Sequence, residues 1–408
     1  MSLADAVPAW LDDRRSQASA TFADASLPTD AEEAWRYSPI NSIDVSSYRT
    51  DASRGATPPA GAGAALTIRN GRVVDSSAPD LDGLFVGRLA DHPDGAELLG
   101  SVRGEGVDAI DLLHDAGVVD PVLVDVSRAV HVEEPVVIDT WTDADKGLTC
   151  PHTVIRAAAG SSVVVLERRR SGDADQLVVP LVEIDAGPDS HVGYLVVQEL
   201  GPNTNSLEHH AVEVGQQAHA ITSVAAFGGA YARTRVDFRL SGRGATGDLL
   251  SAFFGDGDQI LDFRTFQEHL APDTTSTLLF KGAVTGRAQS VYSGLIRVAE
   301  SAPGTNAFQT NRNLKLSDDA WAYSVPNLEI EQNQVSCSHA STVGEIDEDQ
   351  RFYLESRGVP TTMAEQLLVS GFFAEVIGQL PVAEVRAELQ QTIDRALAAD
   401  RAAQEVQA

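Results

Sequence analysis

At 408 residues the chain is long enough for two or three structural units and a sizeable buried core. It carries 59 acidic against 30 basic residues and a formal net charge of -29, with Lys146, Lys281 and Lys315 its only lysines. It therefore lacks the basic patches that neutralise phosphates, which excludes DNA and RNA as partners. No uninterrupted apolar run is long enough to span a bilayer, and MSLADAVPAWLDDRRSQ carries charges where a signal peptide needs its apolar segment, so the expected location is the cytoplasm and no membrane is involved.

An excess of negative charge this large repels itself in dilute buffer, whereas at molar salt the Debye length falls to roughly 3 Å and the repulsion is screened. Acidity combined with scarce lysine points to a salt-adapted cytoplasm. Two cysteines, Cys150 and Cys337, in a large cytosolic chain are expected to be free thiols.

Taken in chain order, residues 1–45 read as helical, with a capping-box spacing from Thr29 to Glu32. Residues 50–64 are rich in Gly, Ala and Pro and read as a flexible connection within a mostly helical N-terminal domain over 1–115. Over 116–345 the character changes. Short runs such as VLVDV, PVVID, SVVVLE, HVGYLVV, TRVDFRL, STLLFKGAV and SVYSGLIRV follow one another between Gly, Asp, Ser and Asn turns. Such a stretch fits a sandwich, a propeller or a β-solenoid; the absence of a WD signature and of two-residue NG or DG hairpins favours the solenoid. Helices return over 346–408, where DEDQRFYLESRG ends on a glycine stop, Thr362 and Glu365 have capping-box spacing, and Leu368, Phe372, Val376 and Leu380 recur along one face.

The polar run VSCSHASTVGEID, 335–347, places Cys337 and His339 two residues apart. On a strand, alternation puts both on one face, where a thiolate and an imidazole could share iron, copper or zinc. The alternative is a buried apolar cysteine beside a hydrogen-bonded turn histidine. His209 and His210 are adjacent, hence on opposite faces, and read as ordinary strand residues; His152 beside Cys150-Pro151 reads likewise, and Arg168-Arg169-Arg170 reads as a solvated strand end. GDGDQILD lacks the spacing of a calcium loop, and no G-x-x-x-x-G-K-[ST] loop is present for ATP hydrolysis.

The run NAFQTNRNLKLSDDAWAYSVPNLEIEQNQVSCSHASTVGEIDEDQRFYLESRGVP, followed by AEQLLVSGFFAEVI, resembles the C-terminal part of the SufB/SufD family of iron–sulfur cluster assembly proteins, and EEAWRYSPI resembles its N-terminal WRY element. The chain looks SufD-like. The strand TNAFQTNRNLKL has no cysteine where SufB-like members carry a functional one, and Ala340 follows His339 where they carry glutamate. The resemblance implies a mainly β fold, a right-handed parallel β-helix flanked by N-terminal and C-terminal helical domains. It implies a non-enzymatic scaffold that pairs, end to end, with a SufB-like paralogue and is gripped at its C-terminal helices by a SufC-like ABC ATPase. It also implies that His339, with Cys337 as a possible second ligand, lies at a subunit junction holding a transient iron–sulfur cluster, none being tightly bound by this chain alone.

Arg357 and Gly358 are expected to shape the interhelical turn, with Phe372, Phe373 and Glu375 in or beside the ATPase-binding surface. Two other readings stand against this one: a β-helix enzyme acting on acidic polysaccharide, and a structural homodimer, formed when the chain is alone, without a metal site.

Overall fold

The computed structural model describes residues 7–50, 63–104 and 106–407, with side chains described as far as residue 399. Most of the 50–64 connection falls outside the described residues. The centre is a parallel β-solenoid of about 8 turns. Consecutive strands alternate between two sheets, and each pairs in parallel with the strand one turn away: Ile260 lies opposite Gln289, and Thr246 opposite Thr275. The first sheet ends on strand Trp321–Ile330 and the second on strand Ser336–Gly344. Because side chains alternate, each strand turns one row inward, and the inward rows of both sheets form a continuous core from Val122 to Tyr292. Toward the later turns this core is an aromatic column, Phe253, Phe263, Phe280 and Tyr292, with successive centroids 4.7, 5.6 and 5.5 Å apart.

The two ends of the solenoid differ. At the first end strand Leu84–Arg88 pairs antiparallel with Val122–Val126, and Arg72–Ser76 pairs antiparallel with Leu66–Arg69. Residues 1–115 therefore supply strands that close the solenoid as well as helices Ala9–Asp24 and Ala109–Gly117. The Thr29 to Glu32 spacing does form a bond, from the Thr29 amide to Glu32 Oε1 at 2.9 Å, but it precedes only a 3-10 turn, Glu33–Trp35. No helix of the described residues is long and apolar enough to cross a membrane.

The N-terminal segment covers the outer face of the first sheet. Trp35 is buried there, donating from Nε1 to Asp108 at 3.0 Å under the Arg233 guanidinium, 3.9 Å from its ring centre. Arg233 and Arg264 donate to the carbonyls of Ala34 and Arg36, and Tyr37, at φ 68°, stacks on Tyr323 of strand Trp321–Ile330, the last of the first sheet. The C-terminal helices cover the outer face of the second sheet, where Val369, Phe373, Val376, Leu389, Ile393 and Leu397 pack on Leu166, Leu195, Leu250, Phe254 and Leu279.

Three basic residues expected at a solvated strand end are structural instead. Alternation turns Arg168 outward to grip Glu388 of the last helix at 2.6 and 2.7 Å. It turns Arg169 into the core, where it bonds Glu167 at 2.6 Å and also reaches Glu208 and Tyr194. Arg170 bonds Asp139 at 2.6 Å. His152 and His209 are likewise more than strand residues. His114, His152 and Glu183 form a buried chain, with 3.1 Å between the rings and 2.8 Å to the carboxylate, which also accepts the Gly100, Val102 and Arg103 amides. Burial alone would raise the Glu183 pKa, yet these bonds hold it down at about 2.

His209 joins helix Ala109–Gly117 to the sheet by bonding Asp111 at 3.0 Å and Asp237 at 2.9 Å. Burial acts to lower its pKa, but the two carboxylates overcome this and lift it to about 9. The folded chain therefore holds a proton that the unfolded chain releases near its ordinary 6.5. The stability contributed by His209 is complete below that value and is lost as pH rises through about 9, a change on the order of 3 kcal/mol. Thermal melts in buffered molar KCl should show the melting temperature falling over this window, and His209→Gln should flatten the fall; equal slopes in both proteins would refute the assignment.

Candidate functional site at the open end of the solenoid

Strands Trp321–Ile330 and Ser336–Gly344 form the last turn, and each terminates its sheet. Most of their residues are exposed, including the apolar Val325, Leu328, Ile330 and Val343, which have no further turn to pack against. A parallel solenoid that ends without a cap leaves both core and backbone groups unmet.

Cys337 and His339 lie on the inward-facing row of Ser336–Gly344, opposite Ala307 and Gln309. Two residues along a strand separate their Cα atoms by roughly 7 Å, so both side chains border the same part of the open end. Their surroundings differ. Cys337 is half-buried against Ile296, Val298, Ala302 and Ala307, and this burial raises its thiol pKa, partly offset by the Ala307 amide. His339 is exposed.

Below His339 the interior turns polar: Gln309 donates to Tyr292, whose hydroxyl also meets Thr265 at 3.1 Å, and Asn311 donates to Ser324 at 2.7 Å. Gly294 makes room for this, since a Cβ there would fall 2.0 Å from Gln309 Nε2. The buried Gln309 Oε1 and Asn311 Oδ1 have no partner. Among the described residues no cluster of three His, Cys, Asp or Glu is arranged to hold a metal ion. The arrangement offers one thiol and one imidazole at a surface edge, with room for ligands from elsewhere.

The C-terminal residues distribute as follows. Gly358, at φ 87°, ends helix Glu348–Ser356 in a Schellman motif: its amide bonds Glu355 O at 2.9 Å and the Val359 amide bonds Leu354 O at 3.2 Å. Arg357 occupies the cap and lies over Tyr353, 5.1 Å from its ring centre. Phe373 is fully buried against the second sheet, so its side chain offers nothing to a partner. Glu375 pairs with the buried Lys281, which also donates to Phe372 O at 2.8 Å and sits 4.6 Å from the ring of the half-buried Phe372.

The exposed apolar side chains here are Phe352, Tyr353, Met363 and Leu367, with Phe352 70% exposed. Phe352 and Tyr353 belong to the FYL triplet of a nine-residue helix that buries no residue, and Met363 and Leu367 lie on the helix that follows. Thr361–Ile377 starts one residue before the expected cap, behind Pro360, so Thr362 is its second helical residue and Glu365 meets Arg351 at 3.4 Å.

Residues 140–372 match the family described as SUF system FeS cluster assembly, SufBD core domain. An iron-sulfur cluster assembly SufBD family protein of Mycobacterium tuberculosis is 35% identical over 285 residues, covering 67% of this chain and 70% of the relative. The iron-sulfur cluster assembly protein SufD of Escherichia coli is 27% identical over 363 residues, covering 86% of this chain and 84% of its own.

Cys150 is fully buried and its thiol pKa is raised strongly by burial, whereas Cys337 is half-buried at an edge. Iodoacetamide on the native chain at pH 8, read by peptide mass spectrometry, should alkylate Cys337 at least about a hundredfold faster than Cys150; equal rates would place Cys337 in the core. Phe373→Ala should cost about 3–5 kcal/mol in denaturant unfolding, against less than about 0.5 kcal/mol for Phe352→Ala.

Proposed function

The chain belongs to the SufB/SufD family of the SUF iron–sulfur cluster assembly system, and from that premise we propose that it is a non-enzymatic, SufD-like scaffold subunit of the assembly complex. Its open solenoid end pairs with a SufB-like paralogue, and His339, with Cys337 beside it, supplies one half of a site that holds the nascent cluster transiently. The cluster is cargo here; the second half of its ligand set comes from the partner. The observation that supports this reading is the placement of two good soft-metal ligands, and only two, on the unclosed last turn. The SufC-like ATPase docks on the exposed Phe352, Tyr353, Met363 and Leu367 surface, with Arg357 and Gly358 fixing the turn between the two helices. Closure of the ATPase is then transmitted through helices that pack directly on the second sheet. The setting is a saline cytoplasm, in which a charge of -29 is screened.

The test is anaerobic size-exclusion chromatography with light scattering in molar KCl, with the paralogue and the ATPase of the same cell. A defined three-protein complex is expected. Phe352→Ala should weaken ATPase retention, and His339→Ala should leave the complex intact while lowering reconstituted cluster at least about tenfold. Elution of this chain alone under every nucleotide condition would sink the scaffold reading, and full cluster loading in His339→Ala would sink the half-site.

A further inference from the structure

Toward its open end the interior of the solenoid is lined by amides. On strand Asn306–Lys315 the inward row reads Ala307, Gln309, Asn311 and Asn313, all buried. Parallel register sets Gln309 directly beneath His339, and Asn311 beneath Ser341. Such partners lie about 4.8 Å apart, and polar side chains stacked in this way bond along the ladder where one offers a donor and the other an acceptor. The Ser341 hydroxyl is already spent, donating to Ser324 Oγ at 2.6 Å, where Asn311 Nδ2 also donates at 2.7 Å. These bonds tie the last strand to Trp321–Ile330. The rung between Gln309 and His339 is open. Gln309 is 2% exposed and its Oε1 has no partner, while the His339 ring is exposed and makes no hydrogen bond among the described residues.

The Gln309 amide is held from its other side. Its Nε2 donates to the Tyr292 hydroxyl, which meets Thr265 Oγ1 at 3.1 Å. Gly294 clears the space, since a Cβ there would collide with both Nε2 and the hydroxyl. With Nε2 committed, what remains for His339 is the carbonyl oxygen, an acceptor. A neutral imidazole that binds a soft metal ion through one nitrogen carries its proton on the other, and an acceptor for that N–H pins the ring and raises its basicity.

The identity of the acceptor also matters. In a chain with 59 acidic residues, the group beneath His339 is a neutral amide. A carboxylate there would favour the imidazolium, which has no lone pair left for a metal. The other titratable groups on the inward rows of 289–298, 306–313, 321–330 and 336–344 are Tyr292 and Cys337, so no fixed charge competes for the ring.

We infer that Gln309 is the positioning residue of His339: its Oε1 accepts the ring N–H when the opposite nitrogen faces the cluster, and Thr265, Tyr292 and Gly294 hold the amide ready for that bond. This rests on the reading of His339 as one half of a cluster site. Rotation of a single side chain closes the rung, because the strand that carries His339 is already fixed through Ser341 and Ser324.

The test uses the three-protein complex, reconstituted anaerobically with ferrous iron and sulfide in molar KCl. Gln309→Met keeps the volume and loses the acceptor; Gln309→Glu keeps the acceptor and adds a charge. Both should assemble the complex as the unaltered chain does. Gln309→Met should lower cluster content at least about fivefold at every pH. Gln309→Glu, measured against the unaltered chain at each pH, should load poorly at about pH 7 and recover at least about fivefold by about pH 9, as the proton shared with the ring is lost. A packing defect would not recover with pH. Tyr292→Phe, which keeps the ring and frees the amide to turn, should lower loading at least about threefold and serves in place of Gln309→Met if that variant misfolds. Full loading with Gln309→Met or Tyr292→Phe, or a deficit with Gln309→Glu that ignores pH, overturns the role of Gln309. Loss of cluster in His339→Ala alongside either result leaves the half-site standing, whereas full loading in His339→Ala removes both.

Discussion

Everything in this molecule depends on the parallel pairing of each strand with the one a turn earlier and the one a turn later. That pairing satisfies the backbone of every inner turn, but it cannot satisfy the first and the last. The first end is closed by the chain itself, through the antiparallel strands contributed by 66–88. The last end has no such closure. Its final turn leaves Leu328, Ile330 and Val343 exposed and the outer edges of both its strands without a sheet neighbour among the described residues. The position of Cys337 and His339 follows from this difference, since the same two residues three turns earlier would be buried and closed off from a partner.

The sides of the solenoid are closed by a different device. Both sheets present outer faces that must be covered, and the coverings are fixed by few, specific polar links set in apolar contact. Arg168 grips Glu388, Lys281 meets the end of the Phe372 turn and Glu375, and Arg233 and Arg264 hold carbonyls of the WRY segment. Links of this kind, with Lys281, Arg233 and Arg264 buried and the Glu388 and Glu375 carboxylates partly in solvent, add little net stability; what they provide is a unique register for the covering segment. One of only three lysines is spent in this way. A movement of the C-terminal helices would therefore pull on the second sheet at defined points, along the same sheet that carries Ser336–Gly344.

The fold was legible because its strands are short, apolar and separated by turns, and helix Glu348–Ser356 because its ends are local: Asp347 accepts the Gln350 amide and Gly358 stops the helix, whereas Thr362 does not cap the helix that follows. The solenoid period was not legible. In-register partners lie 26 positions apart at Asn205 and Tyr231, 29 at Ile260 and Gln289, and 32 at Gln289 and Trp321, so variable turns erase any sequence repeat. The roles of Arg168, Arg169, His152 and His209 were also hidden, because each depends on a residue many positions distant that only the winding brings near. Phe372 and Phe373 show the same limit. Adjacent aromatics must point differently, but which one enters the core is decided by the sheet beneath them.

Charge is distributed in keeping with this division. Acidic residues crowd the chain as a whole, yet strand Ser336–Gly344 contains none. In the saline setting proposed above, ion pairs across an exposed interface would be screened within roughly 3 Å, while backbone hydrogen bonds and apolar contact would not be weakened in that way. Apolar contact through the exposed Val325, Leu328, Ile330 and Val343 of the last turn is therefore the kind of association that would persist where electrostatic docking fails. Strand Ser336–Gly344 carries no carboxylate to oppose such contact, whereas Glu329 and Glu331 flank it on the neighbouring side of the same turn.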